Sequence, residues 1–282
     1  MEKDNNILFN YLSGVIGAIA GDIIGSVYEF KEIKDRNLPF FIDGCRFTDD
    51  SVMTLAVLKS LMDCESDLKN LSNVTIKNMQ QIGKAHPYAG YGSSFNNWLY
   101  ENDPKPYNSF GNGAGMRVSA VAYFAKNLEE VKAISKKITE ISHNHLEGIK
   151  GAEATAVATY LALNKTPKNK IKEYIEKNYY SLNFSDEELF KNYKFNETSQ
   201  QTIPQSIFAF LMTNNYEDAI RKTISWGGDT DTMGAITGAI AGAFYGVPKA
   251  IAKKAISYLT EDLKQVLNNF KNIYKNGYEN LV

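Results

Sequence analysis

The sequence predicts an all-α fold, a globular multi-helix bundle. Three observations carry that expectation. Most apolar stretches recur at the spacing of one helical face rather than by alternation. Strand-like alternating patterns are scarce. No stretch rich enough in Gly, Ser or Pro divides the 282 residues, so 1–282 is expected to form a single domain around one large core.

Composition narrows the partners. Hydrophobic residues make up 44% and charged residues 22%, an ordinary globular balance. Lys and Arg number 31 against 32 Asp and Glu, for a net charge of -1. That removes the electrostatic case for general nucleic-acid binding. The two cysteines, Cys45 and Cys64, form no CxxC pattern and point to a reducing compartment, hence the cytoplasm. The N-terminus, MEKDNNILFNYLSG, is polar and acidic and reads as neither a signal nor a transit peptide. The run GVIGAIAGDIIGSV is too short to span a bilayer and is interrupted by Asp22, so no membrane association is expected. The expected form is a monomer.

Taken in order, SVMTLAVLKSLMD (51–63) places Val52, Leu55, Ala56, Leu58 and Leu61 near one stripe. The same periodicity predicts helices over 117–142, 151–164, 169–179, 203–213 and 216–225. Pro204 suits a first helical turn, and Pro248, in the sequence GVP, marks a helix boundary. The polar segment 165–202 reads as a surface excursion. Two runs carry glycine stripes: Gly14, Gly17, Gly21 and Gly25, then Gly234, Gly238, Gly242 and Gly246. Such spacings share a helix face. Each glycine costs about 1 kcal/mol against Ala inside a helix. A bare stripe therefore implies close approach by another helix or a ligand.

Beside the stripes lie two acidic groups, FTDDS (47–51) and GGDTDT (227–232). Each opens an apolar, helix-like run. One N-cap needs one such side chain. Two adjacent aspartates with a flanking threonine exceed that need, and the arrangement occurs twice. Dense oxygen donors without His or Cys suit Mg²⁺, Mn²⁺ or Ca²⁺ rather than zinc. Four aspartates can hold two divalent ions, which offset their mutual repulsion. Asp22, inside an apolar run, is expected to be buried and hydrogen-bonded. Glu29 follows that run. YNSFGNGAGMR (107–117) reads as a Gly-rich turn opening a helix, where Gly111, Gly113 and Gly115 let backbone N–H groups approach a phosphate and Tyr107 or Phe110 can stack a base. YAGYGSSF (88–95) is a second aromatic–glycine loop. His143 and His145 are two apart, wrong for one helix face, and read as a helix-end pair.

With these pieces in hand, the chain resembles the ADP-ribosylglycohydrolase family, which includes the dinitrogenase-reductase-activating glycohydrolases and the ADP-ribosyl-acceptor hydrolases. GAIAGDIIGSVYEF, FTDDSVMTLAV, GYGSSF, GNGAGMR, SHNHLEGIKGAEATA, IPQSI and GGDTDTMGAITGAIAGAFYG carry the resemblance, in family order over about residues 14–250. It implies a single orthogonal multi-helix bundle with a central metal-containing cleft that binds ADP-ribose. It implies two Mg²⁺ or Mn²⁺ ions held by Thr48, Asp49, Asp50, Asp229, Asp231 and Thr232. Glu29, Asp49 and Asp50 are the implied catalytic carboxylates. Ser109, Phe110, Gly111, Asn112, Gly113 and His143 match ligand-contacting positions, and GYGSSF adds Gly90, Tyr91 and Gly92. Asn108 stands where a glycine is common. The implied activity is removal of ADP-ribose from a protein side chain or a small conjugate; the alternatives are a non-catalytic ADP-ribose-binding, immunity or structural protein on this fold, and a two-metal phosphoesterase. The acceptor linkage stays open among arginine, serine, an ester and a base.

Overall fold

The computed structural model describes residues 11–31, 33–64 and 68–275; residues 1–10, most of the segment read as free of a targeting signal, lie outside them. The described chain is helical, with no β-strand and only an isolated antiparallel bridge between Gly111 and Thr198. The helices are α1 (Ser13–Gly25), α2 (Asp49–Cys64), α3 (Leu71–Ala85), α4 (Ser93–Tyr100), α5 (Leu128–Thr139), α6 (Leu146–Leu163), α7 (Lys168–Asn178), α8 (Asp186–Asn192), α9 (Ser199–Leu211), α10 (Tyr216–Ser225), α11 (Thr230–Tyr245), α12 (Lys249–Tyr258) and α13 (Glu261–Lys275). Among the described residues no helix is long and apolar enough to cross a membrane.

The centre is the antiparallel pair α1 and α11, the most extensive helix contact of the fold. α1 is buried along its whole length and α11 from Thr230 to Ala243. Their glycine faces meet backbone to backbone. A Cβ on Gly17 would lie 2.2 Å from the Gly238 carbonyl oxygen, and one on Gly238 the same distance from the Gly17 oxygen. A Cβ on Gly21 would fall 1.9 Å from the Gly234 oxygen, and one on Gly25 2.2 Å from that of Thr230. Nothing larger than hydrogen fits, which explains why both helices accept the cost of glycine. Gly246 departs from the expected stripe. It ends α11 at φ 80° with open space around it, as a left-handed helix terminator.

Around this pair, α6, α9 and α10 pack on α11, while α3 packs on α2. Among the described residues the main apolar core draws on residues from Leu12 to Phe270, with smaller clusters around Phe208 and Trp226 and between Ala18, Ala235 and Ala239. The long connection from α1 to α2 is fastened to distant elements: Tyr28 donates to the Pro39 carbonyl at 2.6 Å, and Lys34 donates to the carbonyls of Tyr193 (2.7 Å) and Trp226. Arg36 pairs with Asp186 at 2.9 Å, and the same carboxylate accepts from Lys222 and from the Trp226 indole.

Three expectations are corrected. The run 117–142 is not one helix: a 3₁₀ turn over Ser119–Tyr123 ends before α5, which Asn127 caps by accepting from the Glu130 N–H. The local side-chain cap outcompetes continuation. Pro204 lies inside α9 rather than in its first turn. That helix starts earlier because the Ser199 N–H and hydroxyl bond the carbonyls of Phe110 and Gly111, tertiary contacts that periodicity does not encode. The polar segment 165–202 carries α7 and α8, and its end reaches inward.

Replacing Gly238 by alanine is expected to destabilise the protein by about 3 kcal/mol, the upper range for overpacking, because the added methyl meets rigid backbone. Urea unfolding of the variant checks this; an unchanged midpoint would mean the seam is open.

Candidate active site

Two helix N-termini converge where the glycine seam ends. Thr48, Asp49 and Asp50 open α2, and Asp229, Asp231 and Thr232 open α11. Helix starts favour negative charge through their free N–H groups and dipole. The turn into α11 is made by Gly227 (φ 69°) and Gly228 (φ 86°), two consecutive left-handed residues that swing Asp229 inward. From the α1 side, Asp22 enters the same space, and Glu29 approaches from the turn after α1.

The carboxylates form two groups that share a member. Oxygens of Asp22, Asp50 and Asp231 lie within 4.8 Å of one another, as do those of Glu29, Asp229 and Asp231. Asp22 is fully buried and saturated with donors: Oδ2 accepts from the Thr48 and Ser51 N–H groups at 3.0 and 3.1 Å and from the Ser51 hydroxyl, and Oδ1 faces the Thr48 hydroxyl at 2.7 Å. It holds the start of α2. The single Thr48 hydroxyl proton also faces Asp50 Oδ2 at 3.1 Å. Asp50 Oδ1 is buried and has no hydrogen-bond partner among the described residues. Asn112 donates from Nδ2 to Asp229 Oδ2 at 2.6 Å.

This crowding disfavours ionisation. Burial, then the charge of Asp231, pushes Asp22 up to about 7 and Glu29 up to about 8. Burial with the charges of Asp231 and Asp22 pushes Asp49 up to about 8. Asp50 and Asp229 lie well above the usual carboxylate range for the same reasons, burial first and Asp231 next.

These groups open onto a cleft of about 540 Å³. Of the residues singled out from sequence, Glu29, Thr48, Asp49, Asp50, Gly90, Gly92, Ser109, Phe110, Gly111, Asn112, Gly113, His143, Asp229, Asp231 and Thr232 all line it. Tyr91 does not. Its ring packs on the core and its hydroxyl faces the Gly83 carbonyl at 3.4 Å. The Gly-rich turn also differs from its reading as a phosphate cradle. It opens a 3₁₀ turn, Asn112–Ala114, not an α-helix. The Gly111 N–H is taken by Ser109 Oγ at 3.1 Å and that of Asn112 by the Glu197 carbonyl at 2.8 Å. Gly115 faces inward, where a Cβ would meet Ile203 at 2.6 Å. Asn108 takes φ 55°, the left-handed region where glycine is at ease and asparagine is tolerated. His145 caps α6 by accepting from the Glu147 N–H, in keeping with a helix-end role.

Several lining residues were not singled out from sequence, Phe30, Arg46, Arg117, Phe195, Glu197 and Thr198, although Phe30 and Arg117 end two of the motifs that carry the resemblance. Phe30 sits at φ 58°, and its ring lies tilted against Phe195, centroids 4.9 Å apart. The bridge between Gly111 and Thr198 draws the polar segment to the cleft, a long-range pairing that composition cannot reveal.

Comparison with known proteins places this geometry. The ADP-ribosylglycohydrolase family model matches residues 4–279. The chain is 25% identical over 302 residues to ADP-ribosylhydrolase ARH3 of Gallus gallus, covering 79% of this chain and 81% of that protein. It is 27% identical over 178 residues to ADP-ribosylhydrolase ARH3 of Mus musculus, covering 52% of this chain and 47% of that protein. Among solved structures, one described as an ADP-ribosylglycohydrolase-related protein complex shares the fold, with a TM-score of 0.67 at 20% identity, covering 92% of this chain and 95% of that one. A family match across nearly the whole chain, on an all-helical fold that such a structure shares, establishes that the chain belongs to the ADP-ribosylglycohydrolase family.

Proposed function

We propose that this chain is a divalent-cation-dependent hydrolase that cleaves the bond between ADP-ribose and a modified protein side chain or small conjugate, as one catalytic domain. The carrying observation is the pair of carboxylate groups sharing Asp231, open to a cleft that also contains the Gly111–Gly113 turn. Family membership and the names of the relatives support the same reading.

The donor set fits a hard cation. It is all oxygen, Asp50 Oδ1 lacks a partner, and one Thr48 proton faces two carboxylates. Thr48, Asp49, Asp50, Asp229, Asp231 and Thr232 would hold two Mg²⁺ or Mn²⁺ ions. When bound, such ions supply charge neutralisation, orient ribose hydroxyls and acidify a water. Asp22 keeps Thr48 and Ser51 in place, and Asn112 aims Asp229.

The remaining work falls to this chain's own groups. Cleavage at the ribose anomeric carbon builds oxocarbenium character, and the carboxylates that line this side of the cleft are the groups of this chain placed to offset it. Glu29, half-buried beside Asp231 and pushed up to about 8 by burial and the Asp231 charge, takes and returns the proton of the reaction at its carboxylate. Phe110, edge-on to His145 at 5.3 Å and exposed on its other face, offers a stacking surface for adenine. Gly113 leaves the wall bare where a diphosphate would pass, and Gly90, at φ 109°, lets the chain run close to Asp49.

The test is incubation with ADP-ribosylated arginine, serine, ester and base substrates, with products identified by mass spectrometry. Release of free ADP-ribose, lost on chelation and restored by Mg²⁺ or Mn²⁺, is the expected result. AMP as product would assign a phosphoesterase instead. Glu29→Gln should lower turnover by about 10²-fold while calorimetric ADP-ribose affinity stays within a few-fold. Asp231→Asn should weaken cation binding and activity together.

A pH dependence follows from the raised carboxyls. Free carboxyl groups titrate near about 4. The cation-free folded state, with Asp22 near 7 and Glu29 and Asp49 near 8, retains protons that the unfolded chain has lost above that value. Stability from these groups is present below the unfolded value and is lost as pH rises through the folded ones. The melting temperature of chelated protein should therefore fall from pH 5 to pH 8, and saturating Mg²⁺ should reverse the fall. Scanning fluorimetry over that range checks it; a chelated protein most stable at pH 8 would contradict it.

A further inference from the structure

Arg117 stands apart from the acidic end of the cleft. It is only 1% exposed and has no carboxylate at ion-pair distance among the described residues. Its guanidinium lies over the Phe95 ring at 5.5 Å and donates to Ser142 Oγ at 2.8 Å and to the Ile138 carbonyl at 3.4 Å. Ser142 is fully buried, and its oxygen lies 2.9 Å from His143 Nδ1.

The proton count along this chain leaves one arrangement. Arg117 has only donors, so Ser142 Oγ must accept from it. The serine proton then needs an acceptor, and His143 Nδ1 is the one in reach, away from water. A bare Nδ1 puts the imidazole proton on Nε2. Burial, then the Arg117 charge, holds His143 well below the ordinary histidine range, which disfavours a second proton. Nε2 has no hydrogen-bond partner among the described residues. It faces the turn: a Cβ on Gly113 would lie 3.5 Å from it and one on Gly111 3.7 Å.

We infer that Arg117 and Ser142 are positioning residues that lock His143 as the neutral Nε2–H tautomer, so that the cleft presents a fixed N–H donor beside the Gly111–Gly113 turn. Such a donor recognises an unprotonated oxygen or nitrogen acceptor on the part of the ligand seated there. That the ligand is ADP-ribose rests on the function proposed above; the tautomer does not. His143 is thereby a recognition group and not the proton carrier of the reaction.

Long-range proton–nitrogen spectra of the full chain with ¹⁵N-labelled histidine test this at pH 7. The chain has three histidines, and His143→Gln assigns the signal. The expected wild-type pattern is protonated Nε2 with bare Nδ1. Ser142→Ala removes the only proton donor to Nδ1 and should let the Nδ1–H form appear, with ADP-ribose dissociation constant raised about tenfold, the value of one net hydrogen bond. Ser142→Thr keeps a hydroxyl and should retain the wild-type tautomer and affinity. A wild-type His143 that is doubly protonated or carries its proton on Nδ1 overturns the inference, as does a folded Ser142→Ala variant with an unchanged histidine spectrum. A wild type with the expected tautomer that binds no ADP-ribose at millimolar concentration sustains the positioning and rejects the ligand.

Discussion

Six carboxyl groups, Asp22, Glu29, Asp49, Asp50, Asp229 and Asp231, are gathered into one largely buried space, and their repulsion is the constraint that the fold answers. Such a cluster is unfavourable unless fixed dipoles and donors meet it. The protein aims the starts of α2 and α11 at the cluster, surrounds Asp22 with four donors, and brings in the Asn112 amide for Asp229. What remains uncompensated, above all Asp50 Oδ1, defines where positive charge is wanted. In the proposed function, the same deficit that weakens the cation-free protein is what recruits the cations.

The cleft separates its tasks by chemical type. Its acidic side is built from helix starts, which are rigid. Its other side is lined by the Gly111–Gly113 turn, Phe110 and His143, without a carboxylate cluster. Asn112 joins the two sides: its backbone N–H bonds the Glu197 carbonyl, and its amide holds Asp229. A loop that reads as a phosphate cradle turns out to use its backbone donors mainly to brace itself and the neighbouring segment.

Much of this was legible in the sequence because the governing signals are local. Helical periodicity marks α2, α6, α7 and α10, and the paired aspartates at helix entries mark the acidic cluster in the sequence itself. Asp22 was noticeable as one charge in an apolar run. What escaped was set by tertiary contact or by competing local bonds. The Asn127 cap cut one long periodic run in two. The start of α9 is fixed by the carbonyls of Phe110 and Gly111, far earlier in the chain. Tyr91 and Gly115 have the composition of site residues but turn toward the core. Phe195, Glu197 and Thr198 reach the cleft by folding alone, from a segment whose composition reads as surface.

The seam between α1 and α11 closes a path of change that most interfaces keep open. An ordinary helix contact tolerates a larger side chain on one face if the facing residue is later trimmed. Here the facing residues at Gly17 and Gly238, and at Gly21 and Gly234, are already glycine, and the obstacle is the carbonyl backbone itself. No second-site reduction remains available, so substitutions along this line have no compensating partner. The seam is a dead end for sequence drift, and the two helices must be inherited as a matched pair.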